Sequence, residues 1–392
     1  MTTHLMSNYG PKPRTFVRGE GSILFDTEGR SYVDFLCGIA VTSLGHANPA
    51  VTEAIATQAG TLSHVSNLFG NALAEEVATS IDRLISLPGE PLNGQVFFAN
   101  SGTEANEAAF KLARKFHGGE RPKVVSTWNS FHGRTMASLA ATGQPAKHVG
   151  FTPLPAGFSH VAFGELSEME DALKDHEVGA VLVEPIQGEG GVIVPSSDYL
   201  SGLRALCDET GTLLICDEVQ TGFGRSGKWF SSSGTHVLAD IVTMAKSLGN
   251  GMPIGACWAK PEVAAAFLPG DHGSTFGGQP LALAAAKATI SELERIDAPA
   301  AALRAGAIIA EELSHGVPGI VALRGSGLLL GAQLSVPAGQ VVAEALERGL
   351  ILNAVRPDTI RIAPPLNITD HDLYLGLDRL SEALTAVGGA TT

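Results

Sequence analysis

From about residue 94 onward, short apolar runs alternate with stretches of helical pattern, and this alternation restricts the possible folds more than any other feature of the sequence. The apolar runs occupy residues 95–98, 124–126, 180–183, 213–216, 241–244 and 254–258. Such an alternation is typical of a mostly parallel β-sheet whose two faces are covered by helices. We therefore predict an α/β protein with such a sheet at its centre.

Polar residues follow several of these runs directly. The first run leads into Ser101 and Gly102, and the third leads into Glu184. The fourth run leads into Asp217, and the fifth leads into Lys246. In open α/β sheets, ligands bind at the carboxyl ends of the strands, and packing does not explain polar side chains at so many strand ends. The pattern predicts a site along this edge of the sheet.

The stretch 240–251, DIVTMAKSLGNG, places Lys246 between a buried run and a glycine-rich turn. A desolvated lysine at a strand end can lose its proton and attack a carbonyl carbon. A surface lysine that opens a loop explains this stretch equally well. The other strand ends must distinguish the two interpretations.

Length, charge and composition restrict the classes of function. A chain of 392 residues suggests two or three domains. The formal net charge of -14 argues against nucleic acid or an anionic membrane surface as a partner, so we expect small-molecule substrates.

The four cysteines include no CxxC pair and the histidines no HExxH spacing, so we predict no disulfide and no metal site. Because no signal-like or membrane-spanning run is present, the expected location is the cytoplasm.

The ends of the chain are patterned differently from its middle. Residues 14–35 alternate short β-like runs with turns, which is typical of a small antiparallel unit. Beyond about residue 281, a long Ala-rich helical stretch is followed by strands and helices in mixed order. This order predicts a separate α+β domain at the C-terminus.

The segment 97–115 predicts a strand, a tight turn and a helix. Ser101 or Thr103 is suited to cap the helix, and Gly102 lets backbone N–H groups approach an anion. The positive end of the helix dipole then favours a phosphate group. Glu104 in the first turn also suits the dipole, so simple capping is an equally open interpretation.

Three further segments offer groups for a flat cofactor or an anionic substrate. The ring of Phe131 is suited to stacking and the planar side chain of Arg134 to a carboxylate, although a buried Phe and a solvated Arg are the ordinary alternative. Asp217 could keep a pyridine nitrogen protonated, whereas no nearby histidine supports metal ligation by Asp217 and Glu218. Glu189 lies among glycines in EPIQGEGG and is free to move.

A strand-end lysine, a phosphate-accepting turn, a stacking ring and a strand-end aspartate, in this order, jointly indicate pyridoxal phosphate. With the segments GIAVTSLGH, HVSNLF, AFKLARK, SFHGRTM and HGSTFGGQPLA, the chain resembles the class III, ornithine-type aminotransferases of fold type I. The resemblance extends from about residue 8 to residue 384. It implies a large domain over 49–285 that binds pyridoxal phosphate and contains a mostly parallel sheet of the seven-stranded type covered by helices. It also implies a smaller α+β domain in which residues 286–392 are joined by residues 1–48.

The resemblance also implies roles for single residues. Lys246 would carry the cofactor covalently and then move the proton between substrate and cofactor, and Asp217 would pair with the pyridine nitrogen. Val219 would lie behind the ring, Phe131 would cover its other face, and Gln220 would reach the phenolic oxygen. The residues implied in cofactor binding, with Thr275 supplied by the partner subunit of a homodimer, are Ser101, Gly102, Thr103, Phe131, His132, Asp217, Val219, Gln220, Lys246 and Thr275.

Within the family, these segments are most similar to those of members that act on N2-acetylornithine and 2-oxoglutarate. Arg134 would then bind the α-carboxylate of acetylornithine, and Arg361 would bind that of 2-oxoglutarate. Ser274 is the remaining residue assigned to substrate binding. We hypothesise that Glu189 neutralises Arg361 in the first half-reaction and swings away in the second.

Residue 39 bears on the choice of amino donor. Ornithine δ-aminotransferases have a tyrosine where this chain has Ile39, and an apolar residue suits an acylated amine. Succinylornithine, ornithine and 4-aminobutyrate stay open as donors, as does a glutamate-1-semialdehyde aminomutase, which is an isomerase on the same scaffold. A ligand sensor without turnover is a further alternative, but every expected catalytic residue type is present.

Overall fold

The computed structural model describes residues 4–86, 92–234, 237–314 and 317–389. Within these ranges the strands are β1 Phe16–Glu20, β2 Ile23–Asp26, β3 Ser31–Asp34, β4 Gln95–Ala99, β5 Lys123–Thr127, β6 Phe158–Val161, β7 Val178–Val183, β8 Leu213–Asp217, β9 Ile241–Met244, β10 Gly255–Ala259, β11 Ile320–Ser326, β12 Leu329–Leu334, β13 Leu350–Ile351, β14 Asn353–Arg356 and β15 Thr359–Ile362.

The α-helices of the same ranges are α1 Cys37–Ala40, α2 Pro49–Thr61, α3 Ala72–Ile85, α4 Gly102–Phe116, α5 Met136–Ala141, α6 Leu166–Leu173, α7 Tyr199–Thr210, α8 Ser231–Gly234, α9 Pro261–Ala264, α10 Pro280–Arg295, α11 Ala298–Ser314, α12 Ala338–Glu347 and α13 Asp370–Gly389. Short 3-10 turns lie at Ser7–Tyr9, Pro145–Lys147 and Lys246–Leu248. Among the helices of the described residues, none combines the length and the hydropathy that a membrane span requires.

Seven strands form the central sheet, in the spatial order β4-β10-β9-β8-β7-β5-β6. The neighbours from β9 to β6 are parallel, whereas β10 is antiparallel to both β9 and β4. The predicted α/β architecture with a mostly parallel sheet is therefore confirmed, and all six apolar runs lie in it. The edge strand β6 belongs to none of the predicted runs, and the reversed direction of β10 was not predicted.

The two faces of the sheet pack into separate apolar clusters. In β7, Val181 and Val183 belong to one cluster, and Ala180 and Leu182 belong to the other. This division follows from the strand geometry, because successive side chains point to opposite faces. The alanine-rich face of α4 packs into the second cluster, and of the apolar residues predicted on this face only Phe116, at the end of the helix, is exposed. Burial on both faces explains why these strands read as continuous apolar runs.

Two four-stranded sheets lie outside the central one. The N-terminal sheet has the order β1-β2-β3-β13, and its antiparallel strands β1 to β3 lie within residues 14–35, where the sequence predicts an antiparallel unit. The C-terminal sheet has the order β11-β12-β15-β14. The chain passes from the first of these sheets to the second between Ile351 and Asn353. The domain boundaries after residues 48 and 285 stay a prediction.

The parallel strands β7, β8 and β9 end at the same edge of the central sheet. Glu184 follows β7, Asp217 is the last residue of β8, and Lys246 lies two residues beyond β9. The fold therefore places these three side chains on neighbouring strand ends, where α/β sheets bind their ligands.

Candidate active site

A cavity of about 280 Å³ opens at the carboxyl edge of the central sheet. Its lining includes ten of the residues that the sequence analysis assigns to the site, namely Ser101, Gly102, Thr103, Phe131, His132, Arg134, Asp217, Val219, Gln220 and Lys246. They come from the segments that follow β4, β5, β8 and β9. The fold thus gathers strand ends that are far apart in sequence. Asn106, Gly133, Glu184 and Ala245 line the same cavity without having been assigned to the site.

Asp217 is held by donors on both carboxylate oxygens. Its Oδ2 accepts a hydrogen bond from Nδ2 of Asn106 at 2.9 Å and lies 2.8 Å from Nδ1 of His132. Its Oδ1 accepts from the N–H of Val219 at 3.1 Å. Asn106 is fixed in turn by the hydroxyl of Thr243, which donates to its Oδ1 at 2.7 Å. This network fixes the orientation of a carboxylate that is only 4% exposed.

Lys246 begins the 3-10 turn that follows β9. Its φ of 35° lies in the left-handed region, which is uncommon for residues other than glycine and is often found at functional sites. Burial lowers the pKa of Lys246 from its ordinary 10.5 to about 8, although the negative charge of Glu189 opposes this change. The neutral form of the amine, which is the nucleophile and the base, is therefore accessible near neutral pH.

The turn before α4 approaches its neighbours closely. Ser101 caps the helix, because its hydroxyl accepts from the N–H of Glu104 at 3.3 Å. A Cβ atom at Gly102 would lie 2.8 Å from Cγ2 of Val219, so a larger residue does not fit without movement. Capping by Ser101 engages one N–H group of the first helical turn and leaves others for an anion. The capping and phosphate interpretations are therefore compatible.

Phe131 and Arg134 lie on the loop between β5 and α5. The guanidinium carbon of the exposed Arg134 is 5.6 Å from the centroid of the half-buried Phe131 ring. Between them, Gly133 has a φ of 139°, and a Cβ atom there would lie 2.1 Å from Oγ1 of Thr103. The loop is thus packed against the turn at the start of α4, and a cation and a ring border the cavity together.

Arg361 is fully buried on β15. Its Nη1 donates to Oε1 of Glu189 and also to Oε1 of Gln220, the latter at 2.8 Å. Its Nε and Nη2 have no hydrogen-bond partner within the described residues. Burial alone would raise the pKa of Glu189, but the charges of Arg361 and Lys246, together with hydrogen bonds to Arg361 and Gln220, lower this pKa. A buried guanidinium with unused N–H groups is suited to bind a carboxylate.

Glu184 is a second buried acid in the cavity. It accepts hydrogen bonds from the N–H of Phe131 at 3.1 Å and from the N–H of Gly188 at 3.4 Å. Burial, together with the nearby charge of Asp217, raises the pKa of Glu184 well above its ordinary range. A neutral carboxyl group adds no second negative charge beside Asp217. Glu184 therefore joins the Phe131 loop to the loop that carries Glu189.

Ser274 and Thr275 lie outside the cavity that contains Lys246. They line a larger, open cavity of about 890 Å³. The hydroxyl of Ser274 accepts from Nδ2 of Asn100 at 3.1 Å and from the N–H of Gly277 at 2.9 Å. Within one chain, the structure does not bring these two predicted site residues to Lys246.

Asn106 and Thr243 are the residues of the Asp217 network that the sequence analysis misses. Asn106 is a polar residue at helical spacing on the alanine-rich face of α4, and Thr243 is the polar member of an otherwise apolar run. Buried polar groups are nearly always hydrogen-bonded, so a polar residue on a buried face indicates a partner. This signal would have found both residues, but not that Thr243 donates to Asn106 and Asn106 donates to Asp217.

Glu218, next to Asp217, faces away from the cavity. Its Oε1 accepts from the N–H of Ser232 at 2.7 Å and from the hydroxyl of Ser232 at 2.8 Å, and the hydroxyl of Thr221 donates to its Oε2. In the part of the chain that the structure describes, no group of three or more His, Cys, Asp or Glu side chains could hold a metal ion. The carboxylate of Glu218 is engaged by Ser232 and Thr221 and does not join Asp217 in the cavity.

Comparison with known proteins agrees with this geometry. Residues 6–384 match the family model described as aminotransferase class-III. A relative from Corynebacterium efficiens, named acetylornithine aminotransferase, is 47% identical over 385 residues, which are 97% of this chain and 94% of the relative. The ornithine aminotransferase of Toxoplasma gondii superposes with a TM-score of 0.92 at 33% identity, over 99% of this chain and 94% of that one.

A second solved structure is named for the same activity as the Corynebacterium efficiens relative. The N-acetylornithine aminotransferase of Stenotrophomonas maltophilia superposes with a TM-score of 0.84 at 35% identity, over 98% of this chain and 99% of that one. These full-length matches and the family model lead to one conclusion. The chain belongs to the class III aminotransferase family and is a pyridoxal-phosphate-dependent aminotransferase.

Proposed function

We propose that the chain transfers the δ-amino group of N2-acetyl-L-ornithine to 2-oxoglutarate, giving N-acetyl-L-glutamate 5-semialdehyde and L-glutamate in arginine biosynthesis. The observation that carries this proposal is the buried Arg361, which is paired with Glu189 and has two N–H-bearing nitrogens without a partner in the described residues. Such a pair suits an ω-amine when it is intact and the α-carboxylate of a 2-oxo acid when Glu189 withdraws. The names of the relatives support acetylornithine as the donor.

The cavity fits pyridoxal phosphate in the chemistry of its groups. The N-terminus of α4, with Ser101, Gly102 and Thr103, offers N–H and hydroxyl groups for a phosphate. Asp217 offers a fixed carboxylate for the pyridine nitrogen, and the buried His132 keeps it in place. When bound, the cofactor acts as an electron sink for negative charge on the substrate carbon.

We assign the remaining cofactor contacts by the resemblance. Val219 and Phe131 would border the two faces of the ring, and Gln220 would reach the phenolic oxygen. All three residues line the cavity. Gln220 also accepts from Arg361, so it lies between the cofactor end and the substrate end of the site.

Lys246 would bind the cofactor covalently and then serve as the base. Its Nζ would accept and donate the proton that moves at the substrate carbon. A pKa of about 8 suits this exchange, because both protonation states are accessible near neutral pH. The left-handed backbone at Lys246 is consistent with a side chain whose position is imposed by function.

Arg134 would bind the α-carboxylate of acetylornithine at the mouth of the cavity. Its guanidinium is exposed beside Phe131, so it is available to an anion that enters from solvent. The side chain of Ile39 is 43% exposed and apolar, which suits an acylated amine better than a free one. Ile39 would therefore favour acetylornithine over ornithine as the donor, whereas Arg134 would bind the α-carboxylate that both donors carry.

The active site would be completed by a second copy of the chain. Ser274 and Thr275 line the open 890 Å³ cavity with Leu68, and this surface also exposes the apolar Phe69 and Phe276. A homodimer would cover these side chains and bring Thr275 to the phosphate in the partner's site. The proposed active sites are therefore shared between subunits.

Mixing two inactive variants tests the shared site. Chains with Lys246→Ala and chains with Thr275→Ala, each dimeric and poorly active alone, should regain activity when they form mixed dimers. One site of a mixed dimer then carries both defects and the other carries neither. Mixed dimers that stay inactive would exclude a Thr275 contribution from the partner.

The donor is tested by measuring kcat/KM for acetylornithine, succinylornithine, ornithine and 4-aminobutyrate under one condition. We expect acetylornithine to be the best substrate and glutamate to appear in equal amount with the semialdehyde. If free ornithine were clearly better, the interpretation of Ile39 would be wrong. If no amino group reached added 2-oxoglutarate, the aminomutase alternative would be favoured.

The gate is tested with Glu189→Ala, assayed separately in each half-reaction. Loss of the carboxylate leaves Arg361 uncompensated, so kcat/KM should fall about tenfold for acetylornithine and stay within about threefold for glutamate. If both half-reactions kept their wild-type balance, Glu189 would not act as a gate.

A further inference from the structure

The loop that carries Glu189 is closed by its own backbone. Gln187 and Ile193 exchange two N–H···O hydrogen bonds of 3.0 Å each. Inside this pair, the carbonyl oxygen of Gly188 accepts from the N–H of Gly191 at 3.3 Å and from that of Val192 at 3.2 Å. Glu189 therefore lies at the tip of a short, closed turn.

Two arginines of the C-terminal sheet hold this turn from outside. Nε of Arg356, on β14, donates to the carbonyl oxygen of Gly190. Nε of Arg324, on β11, donates to the carbonyl oxygen of Gly191 at 2.8 Å. A Cβ atom at Gly191 would lie 2.7 Å from Nε of Arg356, so a glycine is needed for the guanidinium to approach. Charged donors thus hold the two carbonyl groups that follow Glu189.

The backbone after Glu189 is also strained. Gly191 has a φ of 111° and Val192 a φ of 52°, which is costly for a β-branched residue. Such conformations persist only where neighbouring groups impose them. A Cβ atom at Gly331, on β12, would lie 2.8 Å from Cβ of Val192, so the C-terminal sheet also packs tightly against this turn.

We propose that Arg356 and Arg324 are positioning residues that immobilise the backbone of Glu189, so that Glu189 leaves and returns to Arg361 by side-chain rotation alone. The inference rests on the proposed function, because it requires two half-reactions that use Arg361 differently. Neither arginine lines the cavity that contains Lys246. Their effect on catalysis therefore passes through Glu189.

Loosening the turn has unequal consequences for the two half-reactions. The half-reaction of the ω-amine needs Glu189 aligned with Arg361, and this alignment depends on the fixed backbone. The half-reaction of glutamate and 2-oxoglutarate uses Arg361 after Glu189 has withdrawn, so the position of the turn matters less. A weakened turn should shift the balance toward the second half-reaction.

The variants Arg356→Met, Arg356→Lys and Arg379→Met test this in the dimeric holoenzyme. Arg379 is a matched control, because its Nη1 donates to the carbonyl oxygen of Gly349 at 2.6 Å, in the C-terminal part of the chain and in contact with a different loop. The specificity constant of each half-reaction is measured in single-turnover experiments, once with acetylornithine and once with glutamate. The readout is the value for acetylornithine divided by the value for glutamate.

Arg356→Met should lower the ratio about tenfold, mainly through acetylornithine. Arg356→Lys, which retains a cationic donor, should recover part of the ratio, and Arg379→Met should leave it unchanged. Arg324→Met should act in the same direction as Arg356→Met. An unchanged ratio in both Arg356→Met and Arg324→Met would overturn the inference, as would an equal change in Arg379→Met.

A double-mutant cycle separates positioning from general damage. In a Glu189→Gln background, Arg356→Met should not change the ratio further, because the group that it positions is already altered. A full additional change would mean that Arg356 acts by another route. Failure of the wild-type enzyme to use acetylornithine would contradict the proposed function itself, whereas wild-type turnover with an unchanged ratio in the variants would contradict only the role of the arginines.

Discussion

Two buried charges in this site are satisfied to different degrees. Asp217 faces Asn106, His132 and the N–H of Val219, which together occupy both of its oxygens. Arg361 is equally buried, yet its Nε and Nη2 have no partner in the described residues, and only Nη1 is engaged.

The difference separates a fixed end of the site from an adjustable one. The carboxylate that would meet the cofactor is held in a single orientation before anything binds, which is how preorganised sites avoid rearrangement during the reaction. The guanidinium that would meet the substrate keeps unused N–H groups, although each buried group without a partner costs about 1–3 kcal/mol. A substrate carboxylate that accepts from these N–H groups would remove that cost. In its absence, Glu189 pairs with Nη1 of Arg361.

The largest effect should come from Lys246, where the two ends of the site meet. We expect Lys246→Ala to lower kcat at least about 1000-fold in both half-reactions, because nucleophile and base are lost together. Borohydride reduction of the wild-type holoenzyme should attach the cofactor to the peptide that contains Lys246. Label on another lysine would refute the assignment.

At the fixed end, Asp217→Asn should lower kcat about 100-fold in both half-reactions alike, because the ring nitrogen loses its negative partner. Glu218→Gln is the matched control, since this neighbouring carboxyl group is also buried but faces Ser232. The control should retain its kcat when folded. A loss confined to one half-reaction of Asp217→Asn would contradict the distinction between the two ends.

At the adjustable end, Arg361→Met should raise the KM for 2-oxoglutarate about 30-fold, because a charged hydrogen-bonded contact to the α-carboxylate is lost. The kcat/KM for acetylornithine should fall by less than this, because only the pairing of Arg361 with Glu189 is lost. Steady-state kinetics with each substrate varied in turn measures both values. Equal losses on both substrates would show that Arg361 serves the whole site rather than one carboxylate.

The last effect concerns the free energy of unfolding of the protein without cofactor, and not its kinetics. The folded-state pKa of Lys246, about 8, lies below the unfolded value of 10.5, so the folded state is disfavoured wherever the lysine is protonated. This cost, about 3 kcal/mol, is fully present below pH 8 and disappears as the pH rises to 10.5. In the apo form, Lys246→Met should therefore raise the free energy of unfolding at pH 7 and lose this advantage by pH 10.5. Denaturant unfolding at both pH values provides the test.

The fixed end of the site could largely be predicted from the sequence. Asp217, Lys246 and the turn at Gly102 each follow an apolar run directly, and a run and the polar residue that ends it are neighbours in the chain. The parallel order of the strands then brings these ends together without further information. At this end of the site, the local sequence pattern therefore predicts both the polar residue and its place at the edge of the sheet.

The adjustable end could not be predicted in this way. Arg361 and Glu189 are 172 residues apart, and their pairing depends on how the C-terminal sheet docks, which no local pattern encodes. The expectation for this pair came from the family resemblance. The direction of β10 was also unpredictable, because a strand buried on both faces has the same apolar pattern in either direction. The short edge strand β6, FSHV, was too brief and too polar to stand out.

The passage of the chain between sheets at residues 350–356 has a practical consequence for dividing the protein. β13 pairs in parallel with β3, and the N–H of Phe35, itself fully buried, donates to the carbonyl oxygen of Ile351 at 3.0 Å. A fragment that began at Pro49 would lose three strands of that sheet and expose an apolar edge that invites aggregation. A two-piece version of the enzyme should therefore be cut between elements of the central sheet. The piece that ends with α13 will fold only in the presence of the piece that contains β1 to β3.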